Sequence, residues 1–140
     1  MPPPSVWRVQ EDYGLKDFVR HVAGDIDHRC AYCYEHRLEG TAKYAAEHGF
    51  AAFTSTLLAS TYQNHEAIAA AAEMYARQYG VEFLYRDFRS NFRAGNQRAR
   101  ELGFYMQKYC GCVFSEADRY QKQIDRDRAK FDAEEAARQG

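Results

Sequence analysis

Two short apolar runs, FAAFTSTLL at 50–58 and VEFLY at 81–85, constrain the fold more than any other feature of this sequence. Both are short and apolar, and both are bounded by turn residues, so each predicts a buried strand. Each follows a helical stretch. Before the first run, DIDHRCAYCYEHRLEGTAKYAAEHG predicts a long helix that starts at an Asp27 N-cap and stops at Gly49. Leu38, Ala42 and Ala45 line one of its faces, and Gly40 inside it costs roughly 1 kcal/mol against alanine. Between the runs, Asn64 caps a helix whose Ile68, Ala71, Tyr75 and Tyr79 share a face, and Gly80 ends it. Alternation of helix and strand at these lengths predicts an α/β fold with a parallel sheet covered by helices.

The flanks add less. A short strand in SVWRVQ, a helix through Leu15, Phe18, Val19 and Val22 ending at Gly24, and a helix over NQRARELGF are expected. From Glu116 onward the chain is charged and helix-prone, with a thin apolar seam of Ala117, Tyr120, Ile124 and Phe131. The organisation expected is one α/β domain over 1–115 and a charged helical tail over 116–140. A doubly wound domain usually opens on a buried apolar strand, and none is evident here. The expectation is a domain lacking its front part.

The 140 residues, 46% apolar and 15% aromatic, are enough for one core and exclude a disordered chain. A formal net charge of −1 excludes bulk attraction to nucleic acid or anionic lipid, so any basic surface is local. No apolar run reaches the roughly 20 residues of a membrane span. MPPPSVWRVQ has neither the charged nor the apolar region of a signal peptide. A cytoplasmic location is expected, where thiols stay reduced.

All four cysteines stand in tight pairs, Cys30-Ala31-Tyr32-Cys33 near a helix start and Cys110-Gly111-Cys112 farther on. A helix start favours the thiolate that binds metal or attacks disulfides. Three assignments fit: an iron–sulfur cluster or several irons, one structural Zn²⁺, or a thioredoxin-like redox pair in C-x-x-C. The redox pair is disfavoured because its motif normally lies between a strand and a helix, whereas this one follows the polar turn GDIDHR. Zinc ribbons commonly use C-x₂₋₄-C for both pairs, so C-x-C leans toward iron–sulfur and leaves zinc open.

RCAYCYEHRLEGTAKYAAEHGFAAFTSTLLASTYQN, YGVEFLYRDFRSNF and YMQKYCGCVFS together resemble the QueH type of epoxyqueuosine reductase, from about Asp12 to Ser115. The resemblance implies a nucleotide-hydrolase-like (HUP/PP-loop-like) α/β core, of which this chain is the C-terminal portion. It implies reduction of the epoxide of epoxyqueuosine in the tRNA anticodon loop to the alkene of queuosine, without cobalamin. The implied cofactor is a [4Fe–4S] cluster with an additional iron. Cys30, Cys33, Cys110 and Cys112 match the metal-site cysteines. The resemblance also implies an electron donor and an N-terminal segment with a further cysteine pair. That segment is expected from a split gene or separate chain, if this one is not a fragment. The alternative function is a non-catalytic zinc- or iron–sulfur-binding module that contacts RNA or a protein.

RDFRSNFRAGNQRAR sets five arginines against Asp87 alone. It is either a solvated helix face or a contact for tRNA phosphates, and the resemblance points to RNA for Arg89 and Arg93. Lys108 beside the C-x-C is a candidate to neutralise cluster charge or touch RNA. Ser60, Tyr62 and Asn64, in the loop after the first strand, are candidate substrate contacts, with helix capping as the plainer role of Asn64. Phe88, Phe92 and Tyr105 are candidates to stack on an unpaired base, though core packing is the commoner use of such residues. His28 and His36 flank the C-x-x-C, and His28 is a substitute ligand should a thiolate be missing.

Overall fold

The computed structural model describes residues 14–140. The strand expected in SVWRVQ lies outside the described residues. The fold is mixed α/β, mostly helical, with a small parallel sheet. Two compact units divide the chain, one running to Ala94 and the other spanning Gly95–Gly140.

In the first unit, α1 spans Leu15–Val22 and α2 spans Arg29–Glu47. The α2 helix starts later than an Asp27 cap would place it. Asp27 sits in a 3-10 turn, Ile26–His28, and His28 occupies the cap position. Asp25 explains the shift, because its carboxylate holds the His28 ring at 2.8 Å and its carbonyl accepts the His28 N–H at 3.2 Å. Gly49 ends the helix region with φ 74°, a left-handed value that glycine adopts without strain.

The first apolar run forms only a two-residue strand, β1 Ala52–Phe53. The Ser55 hydroxyl accepts the Leu57 N–H at 3.1 Å and opens a 3-10 turn, Thr56–Ala59, in place of the strand's continuation. Leu58 is then buried from the turn rather than from a strand. The next helix, α3 His65–Tyr79, follows the Asn64 cap, whose side chain accepts the Ala67 N–H at 3.0 Å. Gly80 stops α3, and the chain enters β2 Glu82–Phe83.

The strands pair in parallel, Ala52 with Glu82 and Phe53 with Phe83. Thr54 extends the pairing by donating its hydroxyl to the Leu84 carbonyl at 2.8 Å. Side chains alternate across the sheet: Phe53 and Phe83 are buried, Ala52 and Glu82 exposed. The expected strands, buried on both faces, are therefore covered on one face among the described residues.

That covered face packs on α2 and α3. Tyr34, Leu38, Ala42 and Ala45 meet Ile68, Ala72, Tyr75 and Ala76 in one cluster with Phe53, Leu58 and Phe83. The α3 face is rotated slightly from the expected one: Ala72 and Ala76 are central, whereas Ala71 and Tyr79 lie at its margin. Tyr79 still reaches α2, donating its hydroxyl to Glu39 Oε1 at 2.9 Å.

Helix α4 spans Arg89–Glu101, starting earlier than the helix expected over NQRARELGF, and the second unit begins at Gly95 within it. The second unit continues through the loop that carries Cys110 and Cys112 into α5, Val113–Gln139, which has no buried residue. No helix among the described residues is long and apolar enough to cross a membrane.

Two substitutions in α2 separate packing from backbone propensity. Leu38→Ala empties a fully buried position and should lower stability by about 2–5 kcal/mol. A Cβ at Gly40 would meet nothing within 4 Å, so Gly40→Ala should raise stability by roughly 1 kcal/mol. Urea midpoints of the full chain read both, and a lower midpoint for Gly40→Ala would contradict the open space around that residue.

Candidate metal centre and the loop beside it

Parallel pairing decides which ends of the elements meet. Each strand is preceded by a helix that runs the opposite way, so the N-terminal ends of α2 and α3 lie at the C-terminal ends of β1 and β2. Hydrogen bonds close this cluster. The Tyr34 hydroxyl donates to Gln63 Oε1 at 2.6 Å and accepts the Asn64 N–H at 3.2 Å, tying α2 to the loop after β1. The Phe88 N–H reaches the Leu58 carbonyl at 3.2 Å, tying the loop after β2 to the 3-10 turn. Ligand sites of α/β folds characteristically lie at this end of the strands.

Cys30 and Cys33 belong to the first turns of α2, Cys33 directly before Tyr34, with Cys30 exposed and Cys33 half-buried. Their i, i+3 spacing sets both on one side of the helix. Tyr32 between them stacks on His21 of α1, centroids 4.8 Å apart, and on His36, 5.7 Å apart. His28 is engaged by Asp25, whose hydrogen bond and charge raise its pKa.

Cys110 and Cys112 lie in the second unit, directly before α5. Cys112 is the N-cap residue, and its carbonyl accepts the Glu116 N–H at 2.9 Å. The Cys110 thiol donates to the Ser115 hydroxyl at 3.4 Å. Gly111 takes φ 94°, a left-handed value that would strain any side chain between the two thiols. Gln107 braces the loop, donating to the Tyr109 carbonyl at 2.6 Å. Both cysteine pairs thus stand at helix N-termini. None of the four is in a disulfide. Among the described residues no three His, Cys, Asp or Glu side chains gather around one point.

The remaining candidates divide. Arg89 is anchored: its Nε and Nη2 donate to the two Asp87 oxygens at 2.9 and 2.7 Å, and its backbone N–H donates at 3.0 Å. These bonds hold the Asp87 carboxyl well below the usual carboxylate range. Arg93 and Lys108 are exposed. Asn64 serves as a helix cap, and Tyr62 projects into solvent. Tyr105 is also exposed, Phe92 is half-buried, and Phe88 is partly exposed.

Three residues with no assigned role in the sequence complete this end. The first is Tyr34. The others are the buried His65, the first residue of α3, and Tyr85 after β2. The His65 Nε2 lies 3.2 Å from the Ser60 carbonyl and so carries the proton, leaving Nδ1 to face the Tyr85 hydroxyl at 3.5 Å. The signal for His65 was its place just after a cap, where a strand-end loop turns into a helix.

The sequence model of the family described as "Epoxyqueuosine reductase QueH" matches residues 5–118. The chain belongs to the QueH family. It is 37% identical over 113 residues to the epoxyqueuosine reductase QueH of Dehalococcoides mccartyi, covering 81% of this chain and 62% of that protein. It is 38% identical over 104 residues to the Thermotoga maritima QueH, covering 73% and 54%, respectively. For the Streptococcus pyogenes QueH the figures are 32% identity over 118 residues, 79% and 46%. The chain thus spans roughly half the length of the QueH proteins it matches.

Two outcomes test the local geometry. Tyr34→Phe removes the hydroxyl shared by Gln63 and Asn64, and should lower stability by about 1–3 kcal/mol and speed exchange of the Asn64 amide. Asp87 has a folded-state pKa below its ordinary 3.8, so its contribution to stability is present above that value and is lost as pH falls toward the folded one. The Asp87 carboxylate shift, followed by NMR, should titrate below 3.8 and return toward it in Arg89→Ala.

Proposed function

We propose that this chain carries the thiol-bearing part of an oxidoreductase that reduces the epoxide of epoxyqueuosine in a tRNA anticodon loop to the alkene of queuosine. Membership of the QueH family supports the reaction. The observation that carries the metal assignment is that all four thiols sit in pairs at helix N-termini and outside any disulfide. The donor set fits an iron–sulfur group, with Cys30, Cys33, Cys110 and Cys112 as the residues that would hold a [4Fe–4S] cluster and an accompanying iron. Soft thiolates are the ligands such irons take, and helix N-termini favour the negative charge that thiolates bring. The parallel β1–β2 pair with its opposed helices is the part of a nucleotide-hydrolase-like core this chain supplies.

Loss of an epoxide oxygen as water requires two electrons and two protons, so a separate electron donor is part of the reading. When bound, an iron–sulfur group supplies electrons and a Lewis acid for the oxygen. The chain's own residues do the rest. Tyr34 and His65 hold the loop that runs along the same end of the fold as Cys30 and Cys33. Arg93 and Lys108 offer charge to phosphates, while Arg89 is retained by Asp87. A second polypeptide bearing a further cysteine pair is the partner this reading adds, and the cytoplasm is its compartment.

Metal and sulfide content of the full chain, purified without oxygen, tests the assignment. Iron with sulfide and a visible band that bleaches on reduction is the expected result. Cys33→Ser and Cys110→Ser should each lose most of the iron. Unchanged iron in both variants would remove these residues as ligands, and zinc alone would turn the reading to a metal-binding module.

A further inference from the structure

The loop from Ser60 to Asn64 is fixed at nearly every residue, yet holds its aromatic ring in solvent. The Tyr62 N–H donates to the Ser60 hydroxyl at 3.1 Å, and the Ser60 carbonyl accepts from His65 at 3.2 Å. Gln63 and the Asn64 N–H are both tied to Tyr34, and the Asn64 side chain caps α3. On this pinned loop the Tyr62 side chain stands 87% exposed. A tyrosine commonly buries much of its ring, so a rigid loop that presents one to water leaves a large apolar face open. Phe92 of α4 lies against it, centroids 6.3 Å apart and planes at 81°, which steadies the ring while leaving most of it open.

The segment that carries Phe92 is rich in arginine. Arg89 lies one turn before Phe92 on the same face of α4, and Arg93 follows Phe92 directly. Arg89 is matched by Asp87. Arg86 and Arg93 have no carboxylate partner among the described residues. An open aromatic face braced by a segment that carries unmatched arginines suits a flat, apolar group attached to an anionic chain. An apolar protein surface would bury those arginines without counter-charge.

We propose that Tyr62, braced by Phe92, is a stacking platform for one unpaired base of an RNA strand, with Arg86 and Arg93 on its phosphates. This rests on the reading of the chain as acting on RNA and assigns where the strand lies. The Tyr34 hydrogen bonds place the platform's loop against the start of α2, so the stacked base lies at the end of the fold that bears Cys30 and Cys33. Stacking is indifferent to base identity, so the platform positions the strand and leaves selection to other contacts.

The test titrates the full chain into a short RNA hairpin carrying 2-aminopurine at successive loop positions. One position should be quenched on binding. Tyr62→Ala should abolish that quenching and weaken binding about 5- to 150-fold, whereas Tyr62→Phe should keep both. Arg93→Ala should flatten the dependence of affinity on salt and leave quenching at saturation intact. Equal loss in Tyr62→Phe would overturn stacking in favour of a hydroxyl contact. Unchanged affinity and quenching in Tyr62→Ala would overturn the platform while the RNA reading stands. Failure of the unaltered chain to bind the hairpin would overturn both. The urea midpoint of Tyr62→Ala, expected unchanged for so exposed a residue, separates these outcomes from misfolding.

Discussion

The parallel pairing of Phe53 with Phe83 is the constraint on which the rest of the first unit depends. The ladder is short: two paired residues on each strand, flanked by the Glu82 N–H to the Ala51 carbonyl at 3.1 Å and the Leu84 N–H to the Phe53 carbonyl at 2.9 Å. So few bonds contribute little net stability by themselves. Their consequence is directional. Parallel strands need a crossover, α3 is that crossover, and its start must return to the end where β1 stops. Tyr34 and Asn64 are brought together for that reason, and Cys33 is carried along as the neighbour of Tyr34.

Stability comes instead from the helix pair. Leu38, Ala42 and Ala45 on α2 face Ile68, Ala72 and Ala76 on α3, and so many alanines let the two helices approach closely. The sheet is shallow because its second face is uncovered among the described residues, with Ala52 and Glu82 outward. A core of this kind tolerates polar groups at one end only if they satisfy each other. Tyr34, Gln63, Asn64, His65 and Ser60 do so, which fixes the loop through polar groups and leaves most of the Tyr62 ring open.

Much of this was legible from residues alone. The helices of the first unit, the parallel relation of the two runs, the Asn64 cap and the Gly49 and Gly80 stops follow from period and turn chemistry. The lengths of the strands did not. FAAFTSTLL reads as a continuous strand by apolar content, and the Ser55 hydroxyl bond to the Leu57 N–H opens the turn that ends it after Phe53. The Asp27 cap failed for a similar reason: Asp25, two residues earlier, captured His28 and delayed the helix. At the site, the cysteines were legible because their type and spacing name a chemistry. Tyr34 and His65 were not, because their significance lies in a loop distant in sequence that only the crossover brings near. Arg89 was legible as a cation, but its pairing with Asp87 was not.

Thiolates and RNA are both anionic, and the proposed function brings both to this chain. A thiolate pair near a phosphate backbone is unfavourable unless positive charge stands between them. The chain has almost no net charge to offer, at −1, so the compensation has to be local. It is built in two ways. Helix N-termini stand beneath each cysteine pair, contributing partial positive charge that needs no side chain. Arginines stand along 86–93, on the segment that follows β2 and carries Phe92, whose ring meets Tyr62. Asp87 takes one of those arginines for structure, which leaves Arg86 and Arg93 as the charge available to a strand. In the first unit the division follows from the parallel topology: the start of α2 carries Cys30 and Cys33, and the segment beyond β2 carries the arginines that the proposed function assigns to a polyanion.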